Sequence, residues 1–355
     1  MSISAITSTP VVVRWAPEAK PAEHVCYVIP PHITKKLYDA GHHHCELDHM
    51  HRDARKNLAM HHDFTIWSGY NQPQVISVYD SHHREQARGT LLTTNKPYPA
   101  NKDLEAGEAY DGAKNTYDFY SNILGRKSVD NKNYGLKSFV HYGVGYNNAF
   151  WDGQEMVYGD GDGKVFDRFT KSIDVIGHEL THGVTQYTAN FIYQDQPGAL
   201  NESMSDCMGS TIKQYVNKQT AAQADWLIGQ GLLKTGESLR SMKAPGTAYN
   251  NSLLGKDPQP AKMSGYVHTT DDEGGVHINS GIPNHAFYLF ATQLGGNTWD
   301  KAAKVWYASL QHSKSKDQFK DFANATINQT LTQFKAGSAE ETAIRSAWKT
   351  TEVLL

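Results

Sequence analysis

The run "DVIGHELTHGVTQYT", from Asp174 to Thr188, sets His178 and His182 four residues apart with Glu179 between them. On an α-helix, residues four apart share a face, and Glu179 projects about 100° away from His178. Two neutral imidazoles at this spacing can hold one zinc ion at about 2.0–2.1 Å each, while the glutamate is badly placed to ligate and well placed to reach a water beside the ion. Ile173, Ile176, Leu180 and Val184 fall on the other side, so the helix has an apolar back and a chelating front. With 18 histidines in 355 residues, H-E-x-x-H also arises by accident, in on the order of a few such chains per hundred. A third ligand decides between the two readings.

A histidine six residues after His182 would serve, but Thr188 stands there, and Thr185 stands where a glycine would precede it. The alternative is a glutamate from a following helix, and "PGALNESMSDCMGSTIKQYV" offers Glu202, separated from His182 by the 19 residues 183–201. Leu200, Met204, Cys207, Met208 and Thr211 gather on one side of that helix, with Glu202 and Asp206 on the other. Asp206, one turn on, can accept the N–H of a ligand imidazole, which fixes its tautomer and raises its basicity. Asn201 stands beside the pair. Two histidines and a glutamate leave one position open, which a catalytic zinc requires and a structural zinc does not.

These residues need elements to position them. Between about Gln72 and Phe169, "QPQVISVYD" and "LKSFVHYGV" read as strands and "EAYDGAKNTYDFYSNILG" as a helix. "GDGDG" at 159–163, between "QEMVY" and "KVFDRF", reads as the turn of a hairpin, and it lacks the later glutamate of an EF-hand calcium loop. After Asp174 the pattern is mainly helical, closing with "WDKAAKVWYASLQHS", "KDQFKDFANATINQTLTQF" and "AEETAIRSAWKTTEVL". The last follows Ser338 with Glu341 three residues on, a capping box. No internal repeat is present. The expectation is an α+β chain with a strand-rich first lobe and a helical second lobe meeting near residue 190, and a site in the cleft between them.

The first ~75 residues carry prolines and a histidine cluster and read as a separate segment, with a solvated stretch the simpler account of the cluster from His42 to His62. With 34 basic and 37 acidic side chains, the net charge of -3 gives no reason to expect nucleic acid or an anionic membrane as partner. No apolar run approaches the ~20 residues needed to span a bilayer. The first residues lack a basic run followed by an apolar one, so export by a route other than a conventional signal peptide is expected, with a cytoplasmic pool allowed. Three cysteines, Cys26, Cys45 and Cys207, do not form a disulfide framework.

"YNNAFWDGQEMVYGDGDG", "DVIGHELTHGVTQYTANFIYQ", "GALNESMSD", "LRSM" and "GGVHINSGI" together resemble the thermolysin-like zinc metallopeptidases, from about Tyr110 to the C-terminus. "YVIPPHITKKL" is similar to the short prosegment of the protealysin-type branch. The resemblance implies a thermolysin-like fold divided into a prosegment, 1–60, a strand-rich lobe, 61–190, and a helical lobe, 191–355. It implies one zinc ion on His178, His182 and Glu202, with Glu179 as general base. Tyr193 and His277 match the positions that hold the developing oxyanion, and Asp272 the carboxylate that orients His277. Asn148 and Ala149 match an edge strand that pairs with an extended peptide, and Arg240 the group that holds the carbonyl after the scissile bond. Phe166, Phe169, Val175 and Leu239 match the lining of the pocket for the residue after the cut, which implies cleavage before Leu, Phe, Ile or Val. The expected function is therefore a zinc endopeptidase acting on protein or peptide substrates as a monomer, made as a zymogen with the prosegment as intramolecular inhibitor.

The sequence departs from that family at a double calcium site. Asp174 and Asp225 remain, but the other positions read Lys213, Leu227 and Gln230, so Lys213 is expected to take the place of calcium. Leu58, Met60, Phe64 and Ile66 suit the implied pocket and suggest self-cleavage in the connector. Cys26 or Cys45 could set a thiolate on the zinc, although a thiol in a small packed or mobile segment is the simpler reading; Cys207 is expected in the core. Two rivals are a zinc-stabilised peptide-binding module, which would need a broken catalytic set, and a zinc aminopeptidase.

Overall fold

The computed structural model describes residues 26–42 and 73–355. Strand β1 (Cys26–Tyr27) and helix α1 (Pro31–Asp39) come first, followed by β2 (Ile76–Asp80), β3 (Thr90–Thr94), α2 (Leu104–Leu124), β4 (Leu136–Val140), β5 (Ala149–Trp151) and β6 (Met156–Tyr158). The six strands make one sheet in the order β1-β5-β6-β4-β2-β3. β2, β4 and β6 run parallel, and the outer pairings are antiparallel. The Val, Ile, Phe and Trp content of these strands favours a pleated surface, and α2 covers a face of the sheet with Ala106, Ala109, Tyr110, Ala113 and Phe119 buried. Asp103 caps α2 by accepting from Ala106 N–H at 2.9 Å, and Gly125 ends it in the left-handed region.

Helices α3 (Ile173–Gln186) and α4 (Asp195–Asn217) follow and pack closely on one another. A Cβ at Gly177 would lie 2.9 Å from Ile212 and 3.3 Å from the Cα of Gly209, and one at Gly209 would strike the carbonyl oxygen of Asp174. The two glycines let the backbones approach, so side chains from both helices reach a common point. Short strands β7 (Leu227–Ile228) and β8 (Arg240–Ser241) pair with each other, as do β9 (Asn250–Asn251) and β10 (Gly255–Lys256). Helices α5 (Asp272–Asn279), α6 (Gly281–Leu294), α7 (Ala302–His312), α8 (Phe319–Phe334) and α9 (Ala339–Thr350) complete the second lobe around Trp306, Phe322 and Trp348. No helix among the described residues is long and apolar enough to cross a membrane.

Two local expectations fail. "GDGDG" is not a hairpin turn: β6 pairs with β4 and β5, while Phe166 bridges Leu233 in the second lobe. Asp162 Oδ1 accepts from the N–H groups of Lys164, Val165 and Phe166, and this turn carries the chain off the sheet. At α9, Ser338 accepts from Glu341 N–H as expected, but the Glu341 carboxylate takes the N–H of Gly337, so the box is only half formed. A complete box lies at Gln318 and Asp321 instead. Cys207 is buried in the core as expected, whereas Cys45 and the rest of the histidine cluster after His42 lie outside the described residues, as do Leu58, Met60, Phe64 and Ile66.

Candidate active site

His178 and His182 on α3 and Glu202 on α4 converge in a fully buried cluster. The Nε2 atoms of the two histidines are 3.0 Å apart, and Glu202 places one oxygen 3.5 Å from each. Asp206 Oδ1 lies 2.8 Å from His178 Nδ1, and Asn201 Oδ1 2.9 Å from His182 Nδ1. The Asp206 carboxylate and the Asn201 amide oxygen both accept, so each Nδ1 donates outward and each Nε2 of a neutral ring turns a lone pair inward. Burial lowers the His182 pKa to about 3, which keeps that ring neutral. Glu202 Oε2 is buried with no hydrogen-bond partner. Lone pairs and a carboxylate facing one another without a proton repel, and a divalent cation removes the conflict; these residues fit zinc.

Glu179 sits beside them on α3, also buried. Trp151 N–H donates to its Oε2 at 3.0 Å, and its Oε1 has no hydrogen-bond partner. Burial first, and the neighbouring Glu202 carboxylate second, push its carboxyl well above the usual range. Across the cluster stand Tyr193 and His277. The Tyr193 hydroxyl donates to Glu202 Oε1 and lies 3.3 Å from His277 Nε2. Asp272 accepts both the backbone N–H of His277 at 2.8 Å and its Nδ1–H at 2.6 Å. That double grip depends on a turn in which Asp272, Glu273, Gly274 and Gly275 all have positive φ, a costly conformation for the two non-glycine residues.

Arg240 on β8 is buried and grips Asp206 with two bonds of 2.8 Å, and Asn284 Nδ2 donates to the same carboxylate at 2.8 Å. Burial alone would raise the Asp206 carboxyl, but the Arg240 guanidinium and His178 outweigh it and hold it well below the usual range. Sequence reading places Asp206 beside an imidazole yet misses its bonds to Arg240 and Asn284, because those partners lie 34 and 78 residues away.

The cleft holds part of the chain itself. β1 pairs antiparallel with β5, Cys26 opposite Trp151 and Tyr27 opposite Phe150. Val28 N–H donates to Ala149 O at 3.2 Å, and Ile29 N–H to Asn148 Oδ1 at 3.1 Å. Arg240 Nη1 donates to Val28 O at 3.0 Å, and His277 Nε2 lies 3.0 Å from Tyr27 O. Its two nitrogens thus face two acceptors, the Asp272 carboxylate and the Tyr27 carbonyl. Val28 is fully buried in the apolar core that also contains Phe166, Phe169, Val175 and Leu239.

Asp174, at the start of α3, faces Lys213 rather than an open cavity. Lys213 Nζ lies 3.0 Å from Asp174 Oδ2, 2.9 Å from Asp225 Oδ1 and 2.8 Å from Leu227 O. Ser172 Oγ and the N–H groups of Val175 and Gly229 complete the shell around Asp174. Burial opposes the lysine's charge, but the two carboxylates outweigh it and raise its pKa.

Residues 48–186 match the family model described as thermolysin metallopeptidase, catalytic domain, and residues 189–353 that described as thermolysin metallopeptidase, alpha-helical domain. The chain is 44% identical over 344 residues to an extracellular metalloprotease of Pectobacterium carotovorum subsp. carotovorum, covering 93% of this chain and 96% of the relative. It is 38% identical over 285 residues to a thermolysin of Bacillus sp. (strain EA1), covering 77% of this chain and 50% of that protein. Among solved structures, the precursor of protealysin, a metalloproteinase from Serratia proteamaculans, superposes with a TM-score of 0.81 at 44% identity, covering 93% of this chain and all of that one.

Proposed function

The chain belongs to the thermolysin metallopeptidase family and is a metalloendopeptidase; from that premise we propose that it cuts proteins before a bulky apolar residue, using zinc on His178, His182 and Glu202. The observation that carries this reading is the bonding of residues 27–29, which lie in the cleft as a substrate would. In that register the Tyr27–Val28 peptide takes the place of the scissile bond, with Val28 as the residue after the cut.

When bound, zinc supplies Lewis acidity and lowers the pKa of water to about 7. Glu179 takes the proton from the attacking water, for which its raised basicity suits it, and passes it to the leaving amine nitrogen. His277, held by Asp272, and Tyr193 donate to the oxygen that becomes an oxyanion. Arg240 and Asn148 hold the backbone after the cut, and Ala149 accepts from the new amine's N–H. Phe166, Phe169, Val175 and Leu239 line the pocket that selects Leu, Phe, Ile or Val. Asp206 and Asn201 fix the ligand tautomers.

We also propose that residues 1–60 are a prosegment that inhibits by filling the cleft and is removed by self-cleavage, leaving lobes 61–190 and 191–355 that act as a monomer outside the cell. The likeness to a protealysin precursor supports the prosegment, and that to an extracellular metalloprotease supports the site of action. Lys213 replaces a calcium pair, because its ammonium already satisfies Asp174 and Asp225.

Mass spectrometry of a terminally blocked peptide with one Gly-Leu and one Gly-Lys bond tests the central claim. Mature wild type should cut only before Leu, and a zinc chelator or Glu179→Ala should abolish the cut. No internal cleavage by a zinc-loaded mature protein overturns it, and the blocked ends separate an endopeptidase from an aminopeptidase.

A further inference from the structure

The proposed zinc centre leaves one position open, and the cleft is filled by a peptide whose Tyr27–Val28 bond has its carbonyl oxygen 3.0 Å from His277 Nε2. Something must spare that bond. Cys26, next in the chain, is 2% exposed, and its Sγ is one of three ligand atoms, with those of His182 and Glu202, that lie within 4.8 Å of one another. That spacing makes them a group that could hold one ion, and His178 Nε2 adjoins it, 3.0 Å from His182 Nε2. Glu202 Oε2, buried and without a hydrogen-bond partner, independently marks the same place as a ligand's.

The sulfur is there by register. Neighbouring residues of a strand point to opposite faces. Tyr27 turns into the aromatic cluster with Phe139, Tyr142, Tyr146 and Phe150, its ring 5.1 Å from that of Phe150. Cys26 therefore turns the other way, toward α3 and α4. The pairing of Cys26 with Trp151 and the bonds at Val28 and Ile29 fix the strand, so the thiol cannot slide from the site without breaking the ladder. Cys207, the other described cysteine, lies near Ser203 and Asn284 and is not grouped with His182 and Glu202.

Resting on the zinc reading above, we propose that the Cys26 thiolate is the fourth metal ligand of the intact chain, excluding the attacking water while a substrate-like peptide occupies the cleft. Thiolate is a soft ligand that zinc favours, and a four-coordinate ion with three side chains and one sulfur is closed. The proton leaves to solvent when the sulfur binds. Latency then has two locks, the strand that fills the cleft and the sulfur that displaces water.

The test uses the full chain carrying Glu179→Ala, which does not process itself, loaded with one equivalent of zinc. X-ray absorption should show imidazole scatterers and one sulfur at about 2.3 Å. The sulfur should vanish in Cys26→Ser and persist in Cys45→Ser. Loaded with cobalt(II), the same chain should show a thiolate charge-transfer band that Cys26→Ala, checked for folding by near-ultraviolet circular dichroism, lacks. One bound zinc with nitrogen and oxygen alone, in a chain that keeps Cys26, overturns the thiolate and leaves the metal centre standing. Absence of imidazole scatterers overturns the metal centre as well.

Discussion

Asp206 accepts from four donor atoms on three side chains: His178, both arms of Arg240 and Asn284. It therefore ties the imidazole of His178 in the buried cluster to the guanidinium that grips Val28 O. Asp206→Asn should weaken zinc binding about 10- to 100-fold. It should also raise KM, because Arg240 loses its anchor; a chelator competition and a KM measurement check the two effects, and a change in neither would contradict the linkage. His277→Phe should act differently. It removes the donor proposed for the developing oxyanion, so kcat should fall about 10²- to 10³-fold with zinc content unchanged.

The elements meet where small residues allow. Gly209→Ala would push a methyl into the Asp174 carbonyl oxygen, separate α4 from α3 and pull Glu202 from the histidines. Loss of stoichiometric zinc in a chain that retains helical circular dichroism is the expected result. Lys213, only 11% exposed, fastens α4 to Asp174 at the start of α3. Lys213→Ala leaves the Asp174 carboxylate buried without a counter-charge and should cost about 3 to 5 kcal/mol, seen as a lower melting temperature. In Lys213→Asp, added calcium should restore part of that loss, whereas the wild type should not respond. A wild-type melting temperature that rises several degrees with calcium would count against Lys213 as its replacement.

Across the molecule, His141 joins three parts of the first lobe. It stands after β4, and its ring lies between Asp160, in the turn after β6, and Asp103, the cap of α2. Its hydrogen bond to Asp160, helped by that to Asp103, raises its pKa from 6.5 to about 9 despite partial burial. A raised histidine stabilises fully below its unfolded pKa and loses that contribution as pH rises through the folded value. The wild type should thus lose about 1 to 2 kcal/mol between roughly pH 6.5 and 9.5, after solvent screening, and His141→Gln should not. Urea titrations at the two pH values provide the check.

The two helix faces were legible because they need only helical periodicity: His178, Glu179 and His182 share one helix, and Glu202 with Asp206 share the next; that the faces meet was decided by the packing of α3 on α4. Local propensity likewise gave the long helices to within a few residues. "GDGDG" misled because its glycines and aspartates suit a hairpin and an outward turn equally, and the Phe166–Leu233 bridge that chose between them spans two lobes. Arg240 on Asp206 and Cys26 beside Glu202 were decided only in three dimensions. Both contacts depend on strand register and on the close approach of α3 and α4, which arise when distant segments bury one core. The chain by itself determined which groups can do chemistry; tertiary structure decided which of them meet, because contact between remote residues is set by packing rather than by period.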